Sequence, residues 1–366
     1  VGLAGETSWQ GTKTTKAIID FVKSKGFKSV RIPCNWVCGH ISDASTCTID
    51  ATWMARVKEI VDYCISDGLY VVLNDHYDGG WVEKSFGDIS DAAITKNSAT
   101  MKLIWTQIAN EFKDYDEHLL FAGLNEPDVS NQKQTDALLK YEQAFVDAVR
   151  ATGGNNETRT LIVQGPSTDI DKTVNYFSAM PTDAVANRLM VEVHYYSPSQ
   201  FTGVWENGKP YYFWGPANHV PSGSYKNYNS TWGEESDLSA QFNKMKAKFA
   251  DKGIPVLLGE FGANWRSIGN TFAQKKHDAS IKLFNKLVVQ NAINCGMVPF
   301  VWDINVANQN GTNGIMTVIN RGSRSVFCTP AMEGITEGAS RGKWTIATGI
   351  DLVKSETANL PVKAYN

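Results

Sequence analysis

Glu126 follows the run His118-Leu119-Leu120-Phe121-Ala122-Gly123-Leu124-Asn125, and Glu260 follows the run Ile254-Pro255-Val256-Leu257-Leu258-Gly259. Each acid sits where a short apolar segment, of a length that suits a buried strand, meets solvent. Two carboxylates sharing one water-poor site repel each other. One is then held protonated and can give a proton, while the other stays ionised and can attack. A single acid after a strand is commonly only solvated, so it is the recurrence of the pattern that makes these two a candidate catalytic pair.

Strands must carry these acids to a common place, and the chain supplies seven: Lys28–Pro33, Leu69–Asn74, the segment ending at Glu126, Thr160–Gln164, Leu189–His194, the segment ending at Glu260, and Met297–Trp302. Helical spacing fills the intervals. Ala17, Ile18, Phe21 and Val22 predict a helix over Lys13–Lys25, ended by Gly26; Asp50 is the expected N-cap of a helix running to Ser66; further helices are expected over Ala99–Tyr115 and Thr135–Ala151. Nearly continuous apolar strands alternating with amphipathic helices indicate a parallel sheet buried on both faces, and this many units predict a (β/α)8 TIM barrel. Its first strand is not evident, because Val1–Gly5 is a poor strand; either it lies upstream, or the tail from Thr345 to Tyr365 fills the gap. No linker divides the chain, so residues 1–366 are expected to be one catalytic domain. The Gly-x-Gly-x-x-Gly turn of an open dinucleotide-binding sheet and the Walker-type loop of an NTPase are both missing.

Barrel active sites lie at the carboxyl ends of the strands. There the chain places Arg31, then Asn74, Asp75 and His76, then Asn125 and Glu126, then Gln164, His194 and Tyr196, Glu260, and Trp302 with Asp303. Two Glu, two His, an Arg, an Asn and a Tyr converging on one cleft form the machinery of glycoside cleavage. A buried Arg31 is more often half of a structural ion pair, whose partner here would be one of the two acids, so the two readings coincide. Asp75, Asp78 and Asp303 read as solvated or loop-capping acids. No Lys stands at a strand exit for a Schiff base and no Gly-rich phosphate loop follows the last strands, which disfavours an aldolase or isomerase.

The 366 residues carry a net charge of −3, with 42% hydrophobic and 20% charged residues, which suits a soluble globular protein and gives no basic footprint for nucleic acid. No apolar stretch has the length of a membrane span. The start at Val1 is in keeping with a leader removed before this numbering. The six cysteines match no metal pattern, so no metal or other cofactor is expected. Cys34, Cys38 and Cys47 share one strand-exit region, where a disulfide and buried free thiols both stay open.

Val30-Arg31-Ile32-Pro33, Asn74-Asp75-His76, Gly123-Leu124-Asn125-Glu126-Pro127, His194-Tyr195-Tyr196, Gly259-Glu260-Phe261-Gly262 and the strand to Trp302 occur in an order that resembles glycoside hydrolase family 5, of the clan of (β/α)8 retaining glycosidases. Gly5-Glu6-Thr7-Ser8-Trp9 and the run from Met190 to Pro198 are similar to its subfamily rich in bacterial endo-β-1,4-glucanases, some of which also cut xyloglucan, mixed-linkage glucan or xylan. The resemblance implies a secreted or cell-surface cellulase, monomeric and without cofactor, acting on a polysaccharide. It implies Glu126 as acid/base and Glu260 as nucleophile. Arg31 and Tyr196 would hold Glu260, Asn125 would bond the sugar 2-hydroxyl, His76 and His194 would line the −1 subsite, and Trp302 would form its platform. The chain departs from the family pattern at His76-Tyr77, where many relatives have two histidines, and at the unseen first strand. A β-mannanase or dedicated xyloglucanase shares the same groups; a non-catalytic carbohydrate-binding barrel would need the aromatics but not the paired acids. Trp81, Trp205, Tyr211, Tyr212, Trp214, Trp232 and Trp265 fall in segments expected to border the cleft, and Ser197–Glu235 is the expected source of specificity.

Overall fold

The computed structural model describes residues 5–8, 10–203, 209–305 and 315–345. Seven parallel strands pair in chain order: β1 (Ser29–Ile32), β2 (Tyr70–Asn74), β3 (Leu119–Ala122), β4 (Leu161–Gln164), β5 (Leu189–Tyr195), β6 (Val256–Phe261) and β7 (Met297–Val301). They curl into a nearly closed barrel of the (β/α)8 type, with its seam between β1 and β7. Both expected fillers of the missing strand, the first residues and the tail after Thr345, fall essentially outside the described residues.

Alternation along the strands divides the core in two. Val71, Leu73, Phe121, Val163, Val191, Val193 and Leu258 face outward and pack with the helices. Val72, Ala122, Ile162, Met190, Leu257 and Phe300 face inward and plug the barrel. Two residues further along three of these strands the interior turns polar, at Asn74, Gln164 and Glu192, all fully buried. The polar layer is thus one pleat above an apolar floor.

β6 breaks this alternation. Val193 pairs with Leu258 but His194 pairs with Glu260, and on the other side Leu258 pairs with Pro299 while Phe261 pairs with Val301. Gly259 is the extra residue of this bulge, which leaves Phe261 in the outer core and Glu260 in the cleft. A Cβ at Gly259 would collide with the Glu192 carboxylate, so the bulge needs glycine there.

The helices follow the sequence reading with one correction. Asp50 caps Ala51–Ser66 by accepting from Trp53 N, and Asn131 caps Gln132–Arg150 through Gln134 N. The helix expected from Ala99 begins at Asp91 and ends at Glu111; Ser90 caps it, and its first turns pack few apolar residues, so periodicity hides them. All six cysteines are free thiols, which resolves the disulfide alternative; burial pushes Cys34 up to about 12 and leaves it unreactive.

Candidate active site

Arg31 projects from β1 into the polar layer and organises three acceptors. Its Nη1 donates to Glu260 Oε1 at 2.9 Å and its Nη2 to Asn125 Oδ1 at 2.8 Å. Its Nε lies 3.0 Å from Glu192 Oε1, an ion-pair contact without the alignment of a hydrogen bond. Tyr196 hydroxyl donates to the other Glu260 oxygen at 2.9 Å. Glu260 is therefore gripped at both oxygens, and its side chain is 7% exposed.

His194 stands between the acids. Its Nδ1 is 2.7 Å from Glu126 Oε1 and 3.6 Å from Glu260 Oε2, while its Nε2 is 3.2 Å from Glu192 Oε1. One oxygen of Glu126, one of Glu260 and an imidazole nitrogen of His194 all lie within 4.8 Å of one another. That spacing would also suit a metal ion, but the site already has its cation in Arg31, and an imidazole proton meets Glu126. Opposite, the rings of His76 and Trp302 stack at 5.6 Å and 5°, and His76 Nδ1 lies 3.3 Å from the Asn74 amide nitrogen. All eight residues singled out from the sequence thus fall on one end of the barrel, joined in two groups.

Burial opposes the charge on Arg31, but Glu192 and Glu260 outweigh it and hold the guanidinium above its usual pKa. Burial likewise opposes an imidazolium at His194; Glu260, Glu126 and Glu192 together push it up to about 10. His76 feels burial without such acids, and with Arg31 and His194 nearby it is driven well below the usual range and stays neutral. Partial burial pushes Glu126 up, yet the hydrogen bond and charge of His194 win and hold it below the ordinary value. Burial raises Glu260, against the pull of His194 and Arg31. The resting site accordingly holds a Glu126 carboxylate against a His194 imidazolium.

Glu192 was not singled out from the sequence, yet it touches both Arg31 and His194 and accepts from Gln164 Nε2 at 2.6 Å. The signal was there: Glu192 is two residues before His194 on a strand, so both face inward. Gln164 in turn receives Glu142 from the helix behind, Oε1 accepting from Gln164 N at 2.9 Å, and burial pushes Glu142 up to about 8. A lone acid in the middle of an amphipathic helix gave no comparable signal.

Other expectations divide. Asp78 caps the loop after β1 by accepting from the backbone N–H groups of Trp36, Val37 and Cys38, and Asp303 accepts from those of Val318 and Ile319. Neither Asp75 nor Asp78 is solvated: both are buried, and Asp75 accepts from Trp81 Nε1. Trp214, fully buried, Tyr212, stacked on Tyr228 at 4.2 Å, and Trp265, edge-on to Phe327 and bonded to Asp278, are packing anchors. Tyr211 bonds Thr231 through its hydroxyl. Trp232 is exposed and fixed by Gln200 through its Nε1, while Trp205 lies outside the described residues. Tyr77, where many relatives have a histidine, is exposed beside the cleft residue His76.

The family model described as Cellulase (glycosyl hydrolase family 5) matches residues 1–308. Endoglucanase A of Paenibacillus barcinonensis is 35% identical over 358 residues, covering 92% of this chain and 84% of that protein. A xyloglucan-specific endo-beta-1,4-glucanase of Bacteroides ovatus is 34% identical over 305 residues, and the match spans only 58% of its length. Among solved structures, a xyloglucan-specific beta-1,4-glucanase from a ruminal metagenomic library, in complex with the oligosaccharide XXLG, superposes with a TM-score of 0.87 at 49% identity, covering 94% of this chain and 92% of that one. A broad-specificity endoglucanase from Bacteroides salanitronis gives 0.80 at 35% identity, covering 93% and 88%. With a family match over most of its length and relatives of this identity, the chain belongs to glycosyl hydrolase family 5 and is a glycoside hydrolase.

Proposed function

We propose that the chain is a retaining endo-β-1,4-glucanase in which Glu260 is the nucleophile and Glu126 the acid/base. The observation that carries this reading is the separation of the acids: an oxygen of each lies within 4.8 Å, with His194 between them. Retention goes with carboxyl groups about 5 to 5.5 Å apart and inversion with roughly 6.5 to 9.5 Å, because inversion must leave room for water. Glu260, clamped by Arg31 and Tyr196, attacks the anomeric carbon. Glu126 gives its proton to the leaving oxygen, then activates water against the glycosyl-enzyme.

In the free enzyme the transferable proton belongs to the Glu126–His194 pair and rests on the imidazole. A sugar covering the exposed Glu126 carboxylate strips its water and favours the neutral acid, so the proton crosses the 2.7 Å hydrogen bond as substrate seats. Asn125, fixed by Arg31, offers its amide to the sugar 2-hydroxyl, and the stacked His76 and Trp302 form the wall of the −1 subsite. The catalytic pair and the residues that hold it all come from one chain, which supports a monomer and a single catalytic domain. A polymer that cannot enter a cell supports secretion or surface display; no helix among the described residues is long and apolar enough to cross a membrane.

For the substrate, relatives named endoglucanase support a β-1,4-glucan backbone. The 49% identity to a xyloglucan-specific enzyme supports xyloglucan as the preferred form of that backbone. Assay of the wild type, Glu126→Ala and Glu260→Ala on carboxymethyl-cellulose, xyloglucan, mixed-linkage glucan and mannan tests both. Hydrolysis of the glucans and not of mannan is expected, fastest on xyloglucan, and lost in both variants. Faster turnover of mannan overturns the substrate, and near wild-type hydrolysis by Glu260→Ala overturns the nucleophile.

A further inference from the structure

Glu83 lies on the connection between β2 and β3, outside every motif discussed above, and is 2% exposed. Its Oε1 accepts from Glu126 N–H at 2.9 Å and from Tyr77 N–H at 3.0 Å. Its main-chain carbonyl accepts from Asp128 N–H, also at 2.9 Å, and its carboxyl interacts with the Asn125 side chain. One buried residue therefore ties the loop carrying Glu126 to the loop carrying His76 and Tyr77. A carboxyl group is an expensive choice for a fixture of this kind, since an amide or a main-chain carbonyl would accept the same N–H groups without burying a charge.

We infer that Glu83 is a positioning residue for the acid/base: it fixes the backbone of Glu126 and, when ionised, its charge holds the proton on the Glu126–His194 pair to higher pH. This rests on the assignment of Glu126 made above. The groups facing Glu83 are acids or neutral: Asp75 from the exit of β2, Glu126 and Asn125 from the exit of β3, with Tyr77 held through its backbone. Asp78 faces Asp75 rather than Glu83, and Lys84, the adjacent cation, is exposed and paired with Asp128 at 3.3 Å. Burial, opposed by the backbone N–H groups of Glu126 and Tyr77, pushes Glu83 up to about 7. Its charge thus arises on the alkaline side, where loss of the acid's proton would otherwise end activity. A negative neighbour raises the pKa of any group that still carries a proton, so the sign is fixed.

The test is the pH dependence of kcat and kcat/KM on carboxymethyl-cellulose for wild type, Glu83→Gln, Glu83→Ala and Glu126→Gln, with circular dichroism measuring the folded fraction. Glu83→Gln keeps the shape and one oxygen to accept the Glu126 and Tyr77 N–H groups, removes the charge and turns the other oxygen into an amide donor. It is expected to match wild type within about threefold at pH 5.5 and to lose activity at a pH lower by roughly half a unit on the alkaline side. Glu83→Ala frees the Glu126 backbone and is expected to lower kcat about tenfold with KM within about twofold, as displacement of a catalytic group does. If Glu83→Ala does not fold, the Glu83→Gln profile decides. An alkaline limb in Glu83→Gln that coincides with wild type, or a Glu83→Ala loss confined to KM or to unfolded protein, overturns the inference. Full activity in Glu126→Gln instead breaks the acid/base assignment itself, so the two failures are told apart.

Discussion

The Glu260 side chain is 7% exposed and takes hydrogen bonds from Arg31 and Tyr196, whereas the Glu126 side chain is 45% exposed and shares a proton with His194. The difference follows from where each sits. Glu260 is inside a strand, turned into the cleft by the Gly259 bulge and set against Arg31 and His194. Glu126 stands four residues past the end of β3, on a loop whose backbone is held by Glu83. A nucleophile must be ionised and held still when it attacks, and a rigid setting with Arg31 and Tyr196 on its two oxygens provides that. An acid/base must change protonation state twice, and an open position beside a titratable ring provides that instead.

The largest expected effect separates the two acids by what replaces them. Glu260→Ala should lose at least about ten-thousand-fold in kcat on every glycoside, since no neighbouring group can form the covalent bond. Glu126→Ala should lose roughly a hundred- to ten-thousand-fold on polysaccharide and much less on aryl cellobiosides whose leaving group needs no proton. Equal losses on both substrate types would erase the distinction. Next in size, Arg31→Met leaves the buried Glu192 and Glu260 only the His194 imidazolium for charge balance, and chemical denaturation should show a loss of about 3–5 kcal/mol.

Tyr196→Phe sharpens the comparison more finely. It removes one donor that favours the charged form of Glu260, so the pKa of Glu260 rises and the acidic limb of kcat/KM moves to higher pH, with a rate loss of roughly ten- to a hundredfold. An unmoved acidic limb would contradict the clamp. The smallest effect is on stability. The folded pKa of His194, about 10, lies above its ordinary value near 6.5, so its ion pairs stabilise the fold fully below pH ~6.5 and that contribution is lost as pH rises through about 10. Thermal melts should show that decline in the wild type and a shallower one in His194→Gln.

Much of this was legible in the sequence because the barrel rule turns strand ends into a place. The seven strands and the convergence of Arg31, His76, Asn125, Glu126, His194, Tyr196, Glu260 and Trp302 needed only apolar runs and the polar residue that follows each. Glu192 stands two residues before its partner His194 and so carried a local signal, but its ion pair with Arg31 comes from another strand, and Glu142 meets Gln164 from a helix that bears no local mark. Glu83 was hidden more deeply, since its partner is a backbone N–H, which carries no residue type at all. The aromatic loop reads in sequence equally as packing anchors or sugar platforms, and tertiary packing over the helix Thr271–Asn294 makes Trp214 and Tyr212 anchors, burying the one and stacking the other.

The central claim is that Glu260 makes the covalent bond and Glu126 does not. Incubation with a 2-deoxy-2-fluoro cellobioside bearing an activated leaving group slows the second displacement and accumulates the glycosyl-enzyme; proteolysis and mass spectrometry then locate the sugar. The account predicts a single adduct on the peptide containing Glu260, formed also in Glu126→Ala and absent in Glu260→Ala. An adduct on Glu126 or another carboxylate, or turnover by inversion with no adduct at all, would contradict it.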